Sequence, residues 1–391
     1  RETQSVMAID FAGRGVNSRV APFLDSPLSE SVCVSCGQCT VVCPTGALTE
    51  RDETDEVFAA INDPELTVVV QTAPAIRASL GEALGMQAGS LVTGKMAAAL
   101  RRLGFDKVFD TQFSADLTIM EEGSELLRRI GERGTLPMIT SCSPGWISFI
   151  ETFYPALLPH VSTCKSPQQM FGSIAKTFWA RKAGVDPSKL VVVSIMPCTA
   201  KKYEAKRPEM RSAWEWWKDH GGKDSPYFDV DYALTTRELA RMVRRAGIDF
   251  EALPDESFDD PLGASTGAAT IFGSTGGVME AALRTAYELA VGEPLPSLDL
   301  EAVRGFDGVK EASLDVAGTQ LRVAVVHTLA NARKLLDGIA AGTSPYAFVE
   351  IMTCPGGCIG GGGQPIAPTW EKRERRKEAI YAEDRGMPLR K

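Results

Sequence analysis

The sequence predicts an α/β fold, with mostly parallel, twisted sheets flanked by helices and a bound group held between two lobes. A smaller cysteine-rich domain precedes it. Two observations carry the prediction: short apolar strands alternate with helical stretches beyond residue 62, and three of those strands run straight into a cysteine motif. A third, four cysteines crowded between residues 33 and 43, sets the first 62 residues apart. At 391 residues the chain is long enough for two or three domains and a sizeable core.

In chain order, residues 1–62 open with turn-rich sequence such as VAPFLDSPLSES and end in the acidic stretch ERDETDEVFAAINDPE, which bridges to the first strongly apolar strand, LTVVVQTAP (66–74). The domain boundary is placed there, leaving 63–391 as the large domain. GKMAAALRRLG (94–104), EEGSELLRRI (121–130) and VHTLANARKLLDGI (326–339) have helical periodicity, and GSTGGVMEAALRTAYELA (273–290) reads as a glycine turn followed by a helix. The strands that meet cysteines are TLPMITSCSPGW (135–146), KLVVVSIMPC (189–198) and YAFVEIMTCPGGC (346–358). Binding sites in such sheets lie beyond the carboxyl ends of the strands, so the three segments are expected to converge on one crevice. GGCIGGGGQP (356–365) has no following Lys-Ser/Thr and reads as close backbone approach to a bulky ligand, not as a phosphate cradle. The mixed charges of EKRERRKEA (371–379) read as a solvated helix face. Trp214, Trp216 and Trp217 fit a partner-docking surface or packing between lobes.

Lys and Arg total 42 against 50 Asp and Glu, a net charge of −8, which argues against nucleic acid as a partner. No run of eighteen apolar residues exists to span a membrane. The start, RETQSVMAID, has neither an initiator Met nor a basic-then-apolar leader, and is expected to be cut from something longer. A cytoplasmic location is expected, with the periplasm as the alternative.

Nine cysteines are too unevenly grouped for a disulfide framework and read as ligands. Cys33-x-x-Cys36-x-x-Cys39-x-x-x-Cys43-Pro44 is the ferredoxin run that wraps a 4Fe–4S cluster; zinc prefers ligand pairs separated by a longer loop. In two-cluster ferredoxins the fourth cysteine serves the other cluster. Cys43 therefore either closes a single cluster or belongs to a ferredoxin-like domain whose first half is missing, and the second is favoured. Of the other five, Cys142, Cys198, Cys354 and Cys358 lie in the strand-end motifs, enough for a second cube. With only His160, His220 and His327 in the chain, a zinc or copper centre is disfavoured. Cys164 reads as a small buried hydrophobe.

These segments, TSCSPGW (140–146), MPCTAKKYE (196–204) and EIMTCPGGCIGGGGQP (350–365), resemble the three signatures of the FeFe hydrogenases, and the likeness runs over essentially the whole chain. It implies a two-lobed hydrogenase domain containing the H-cluster, a 4Fe–4S cube bridged to a di-iron unit with CO, cyanide and azadithiolate ligands. Cys198 and Cys354 match cube ligands and Cys358 matches the bridging ligand. Lys201 matches the residue that binds a cyanide, and Met196 and Met352 match thioethers packed on the di-iron unit. Pro74, Ala75, Pro167, Gln168 and Phe272 match positions lining the pocket. Glu122, Glu125, Ser162 and Cys142 match a proton relay, and the i, i+3 spacing of the glutamates puts both on one helix face.

The departure is in the first signature, where the family usually has adjacent cysteines, a relay thiol and then a cube ligand. Here they are Cys142 and Ser143. Counting without gaps puts the ligand position on Ser143 and the relay on Cys142. Serine oxygen is a hard, poor ligand for iron–sulfur, which favours Cys142 as ligand with Ser143 carrying the proton. The assignments exclude each other.

The resemblance implies interconversion of dihydrogen with protons and electrons, with the N-terminal cluster relaying electrons to ferredoxin or to an NAD(P)- and flavin-binding subunit of a multi-subunit or electron-bifurcating complex. It also implies maturation proteins that install the di-iron unit. The rivals are a non-enzymatic iron–sulfur assembly or electron-transfer protein, and a hydrogen sensor, on the same scaffold.

Overall fold

The computed structural model describes residues 2–222, 225–263, 265–292, 303–316 and 319–388; the extreme ends of the two expected domains, residue 1 and residues 389–391, lie outside this set. Ten strands are named here: β1 (Asp10–Ala12), β2 (Arg19–Ala21), β3 (Thr67–Thr72), β4 (Lys107–Asp110), β5 (Met138–Ile139), β6 (Leu190–Met196), β7 (Tyr232–Thr235), β8 (Val309–Val316), β9 (Thr319–His327) and β10 (Phe348–Met352). They form a small β1–β2 hairpin and two four-stranded sheets, in the orders β4-β3-β6-β7 and β5-β10-β9-β8.

The first sheet is wholly parallel, with Thr72 aligned on Asp110 and on Ile195. Its middle strands are apolar on both faces because helices cover both, as parallel sheets require; β6, LVVVSIM, is buried along nearly its whole length. The second sheet is parallel except for β8, which pairs antiparallel with β9. β9 runs through His327, so the helix expected from Val326 begins later and spans Leu329–Ala340.

Val57 and Ala60 of the helix Thr54–Ile61 pack into the core of the first sheet with Val68, Val70 and Met96. The second sheet packs Ile139, Val326 and Ile351 against Trp146, Phe149 and Leu336.

EKRERRKEA does lie on a helix, Trp370–Arg385, but it is not a solvated face. Arg373 and Arg376 are buried, at 8% and 0% exposure. Arg376 is pulled inward because Glu82 and the carbonyl of Ile359 accept its hydrogen bonds at 2.6 and 2.7 Å. The tryptophan cluster sits on the helix Ser212–Asp219, where Trp217 donates to the carbonyl of Lys176 at 2.7 Å and Trp216 stacks on His220.

Candidate functional site

The carboxyl ends of β3 and β6 in one sheet, and of β5 and β10 in the other, open on one cavity. Prolines turn the chain away at each mouth: Pro74, Pro144 and Pro167 each occupy the first helical positions after an extended segment, where a missing N–H costs nothing. The cavity is lined by Cys142, Ser143, Cys198, Cys354 and Cys358, by Met196 and Met352, by Pro74, Ala75, Pro167, Gln168 and Phe272, and by Lys201. The wall is otherwise mainly proline, glycine and alanine, and so largely apolar.

Among the described residues, Lys201 is the one cation on this wall. Its ammonium donates to Glu204 at 2.9 Å and to the carbonyl of Cys142 at 3.1 Å. Glu204 in turn accepts from Ser166 at 2.8 Å and from Gln168 at 3.0 Å. A buried charge held this way is fixed in place at the cavity wall.

From Cys142 a line of polar groups leads outward. Burial, and then the nearby Glu122 carboxylate, push the Cys142 thiol up. Burial also pushes Glu122 up to about 7; Ser141 donates to it at 3.4 Å, and its Oε2 has no partner among the described residues. Ser162 donates to Glu125 at 3.0 Å and also favours the charged form of Glu122, so it stands between the two carboxylates. Burial opposes the Glu125 charge, yet Arg129 and the Thr163 N–H outweigh it and hold Glu125 below the usual range. Arg129 donates to it at 2.6 Å and reaches the carbonyls of Pro159 and His160 near the surface.

Against known proteins, the profile described as "Iron only hydrogenase large subunit, C-terminal domain" matches residues 66–362, and a "4Fe-4S binding domain" profile matches residues 27–49. The chain belongs to the FeFe, or iron-only, hydrogenase family. It is 55% identical to the NADP-reducing hydrogenase subunit HndD of Solidesulfovibrio fructosivorans, over 99% of this chain and 65% of that one. It is 50% identical to the periplasmic [Fe] hydrogenase large subunit of Nitratidesulfovibrio vulgaris, over 91% and 90% of the two chains. A solved FeFe hydrogenase variant from Chlamydomonas reinhardtii superposes with a TM-score of 0.75 at 42% identity, covering 87% of this chain and 91% of that one. A cytosolic iron–sulfur assembly component from Rattus norvegicus is 32% identical over 90% of this chain and 75% of its own length. The chain thus spans about two thirds of the HndD subunit.

The donor set fits the family's cofactor. Cys198, Cys354 and Cys358 act electrostatically on one another, so their sulfurs face a common volume. Among the described residues, no three or more His, Cys, Asp or Glu close on a single-ion site; these thiols stand around a cavity, as a cluster several atoms across requires. Ser143 shares a 2.8 Å hydrogen bond with the hydroxyl of Thr353, the residue before Cys354, and accepts from the Thr353 N–H at 3.3 Å.

Cys33, Cys36 and Cys39 line a second, more open cavity, whereas Cys43 is absent from its wall. Cys43 is held near 7 by hydrogen bonds, first from the Thr45 hydroxyl and then from backbone N–H groups. The two cavities are neighbours, since Cys36 acts electrostatically on Cys354 and Cys198 on Cys36. Gln38 donates to the carbonyl of Gly360 at 2.9 Å, and Thr199 donates to that of Ser35 at 2.6 Å.

The glycine run corrects the sequence reading. A Cβ on Gly361 would overlap the carbonyl oxygen of Pro197, and one on Gly362 that of Cys36. The close approach is thus chiefly to the other cysteine segments, although Gly357 and Gly361 also line the cavity. Cys164 is likewise no plain hydrophobe: it is half-buried, with its sulfur 3.8 Å from Glu125. Sequence reasoning missed Arg129, Thr163, Glu204 and Thr353. The i, i+4 spacing of Arg129 from Glu125 and the i, i+3 spacing of Glu204 from Lys201 were available signals.

Proposed function

We propose that this chain catalyses the reversible oxidation of dihydrogen and reduction of protons. The observation that carries the reading is a single, mainly apolar cavity combining three cysteine sulfurs, a fixed ammonium and the inner end of a buried carboxylate chain. An assembly or electron-transfer protein needs the sulfurs but has no use for the other two.

The cofactors are 4Fe–4S clusters and the H-cluster, whose di-iron unit, when bound, supplies the centre at which dihydrogen is made or split. Cys198, Cys354 and Cys358 would hold the cube, with Cys358 the cysteine nearest the di-iron unit by resemblance, and the Lys201 ammonium would hold an anionic ligand of that unit. Met196, Met352, Pro74, Ala75, Pro167, Gln168 and Phe272 shape the wall and exclude water. Against the expectation that it ligates the cube, Cys142 is read as the inner relay thiol, because Glu122 and Lys201 act on it more strongly than Cys358 does. Ser143, hydrogen-bonded to Thr353 beside Cys354, would then complete the donor set of the cube. Protons pass between Cys142, Glu122, Ser162 and Glu125 to the Arg129 end.

A cluster held by Cys33, Cys36 and Cys39 would carry electrons between the neighbouring cavity and a ferredoxin or a flavin- and NAD(P)-binding subunit; the name of the HndD relative supports the second. Among the described residues no helix is long and apolar enough to cross a membrane. The cytoplasm remains the proposed compartment, and cell fractionation tests it. The functional test is hydrogen-dependent reduction of a viologen dye by protein co-expressed anaerobically with the maturation proteins. Turnover is expected; protein carrying its cubes and the di-iron unit but giving none would overturn the reading.

A further inference from the structure

Arg373, on the helix Trp370–Arg385, is 8% exposed, and its Nε has no hydrogen-bond partner among the described residues. The contrast with Arg376, one turn on, is direct. Arg376 is also buried but is neutralised by Glu82 at 2.6 Å, whereas the charges acting on Arg373 are Arg376, which opposes it, and the Cys354 sulfur, which favours it.

The position is specific. The guanidinium lies 4.6 Å from the Trp370 ring centre, and a Cβ on Gly360 would come within 2.9 Å of its Nε, so the bare glycine makes room for it against the Cys354–Cys358 loop. Arg373 also lines the cavity of Cys33, Cys36 and Cys39. It stands where the two cysteine sites meet.

Guanidinium does not give up its proton in a protein, and an unpaired buried charge is costly. Among the described residues no carboxylate pairs with it, but a 4Fe–4S cluster with thiolate ligands is an anion whose potential follows the charges and N–H donors around it. We propose that Arg373 is the fixed counter-charge of the accessory cluster bound through Cys33, Cys36 and Cys39, a positioning residue that raises its reduction potential. Reduction adds one electron, and so one negative charge, to the cluster; the electron comes from the H-cluster cube or the external partner. No bond is made or broken, and Arg373 stays protonated. The inference rests on iron–sulfur loading of the N-terminal segment and not on the di-iron unit, so failure of the hydrogenase reading leaves it standing.

The test is a redox titration, followed by electron paramagnetic resonance of the accessory cluster, on the full chain carrying its iron–sulfur clusters. Arg373→Gln and Arg373→Met remove the charge by different routes, and Arg373→Lys keeps it. Both charge-free variants are expected to lower the reduced-to-oxidised ratio at a given potential by tenfold or more, and 59 mV corresponds to tenfold for one electron. Lysine is expected to restore most of it. An unchanged midpoint in the charge-free variants, or an equal shift in all three, overturns the proposal, the latter because it would reflect lost packing on Trp370. If the charge-free variants fail to hold the cluster, full loading in the lysine variant supports the proposal and failure in all three overturns it.

Discussion

The α-carbon of Gly362 packs directly on the carbonyl oxygen of Cys36, leaving no room for a Cβ between them. Two segments more than three hundred residues apart are thereby locked together, one from each cysteine cavity. Gly362→Ala must push the N-terminal loop off the glycine run. The expected result is a stability loss of about 1–3 kcal/mol, as for overpacking elsewhere, and slower electron exchange between the clusters. Denaturant unfolding and stopped-flow reduction of the accessory cluster would measure the two effects.

Glu122 gives a pH signature. Its carboxyl is raised from 4.5 in the unfolded chain to about 7 by burial, so the folded state binds the proton more tightly. The resulting stabilisation is complete below 4.5 and is lost as pH rises through 7. Unfolding of the wild type compared with Glu122→Gln should show a difference on the order of 3 kcal/mol accumulating across that window. The same variant should lower hydrogen turnover by about 10²–10⁴-fold, the usual contribution of a positioned proton carrier.

Cys142 and Ser143 are separated by substituting each. With Cys142 as relay, Cys142→Ser keeps both clusters, by iron content and paramagnetic spectra, while turnover collapses. Ser143→Cys should load at least as much iron, because thiolate is the softer ligand. Loss of the cube in Cys142→Ser would instead make Cys142 the ligand.

Lys201 cannot be removed alone without leaving Glu204 as an uncompensated buried charge, at a cost of about 3–5 kcal/mol. The double change Lys201→Met with Glu204→Gln avoids that. It should fold and hold its cubes yet fail to retain the di-iron unit, which iron counts and infrared bands would report.

Much of this architecture was legible in the sequence because it is written locally. Cysteine spacing marks the accessory cluster, and strands ending in Cys142, Cys198 and Cys354 mark a crevice wherever the sheets are parallel. What stayed hidden depends on contacts distant in sequence. The charge pattern of residues 371–379 cannot reveal that Glu82 draws Arg376 inward while Arg373 faces cysteine sulfur. Nor can glycine repetition say whether the chain approaches a ligand or, as at Gly361 and Gly362, the carbonyls of Pro197 and Cys36. Cys164 looked inert because its neighbour Glu125 lies on another element, 39 residues away.

The central claim is that the cavity walled by Cys198, Cys354, Cys358 and Lys201 holds a di-iron unit. An infrared spectrum of anaerobically matured protein, in the CO and cyanide stretching region, tests it most directly. Sharp metal-carbonyl and metal-cyanide bands are the predicted result. Their absence from protein with a full complement of iron–sulfur cubes would contradict it.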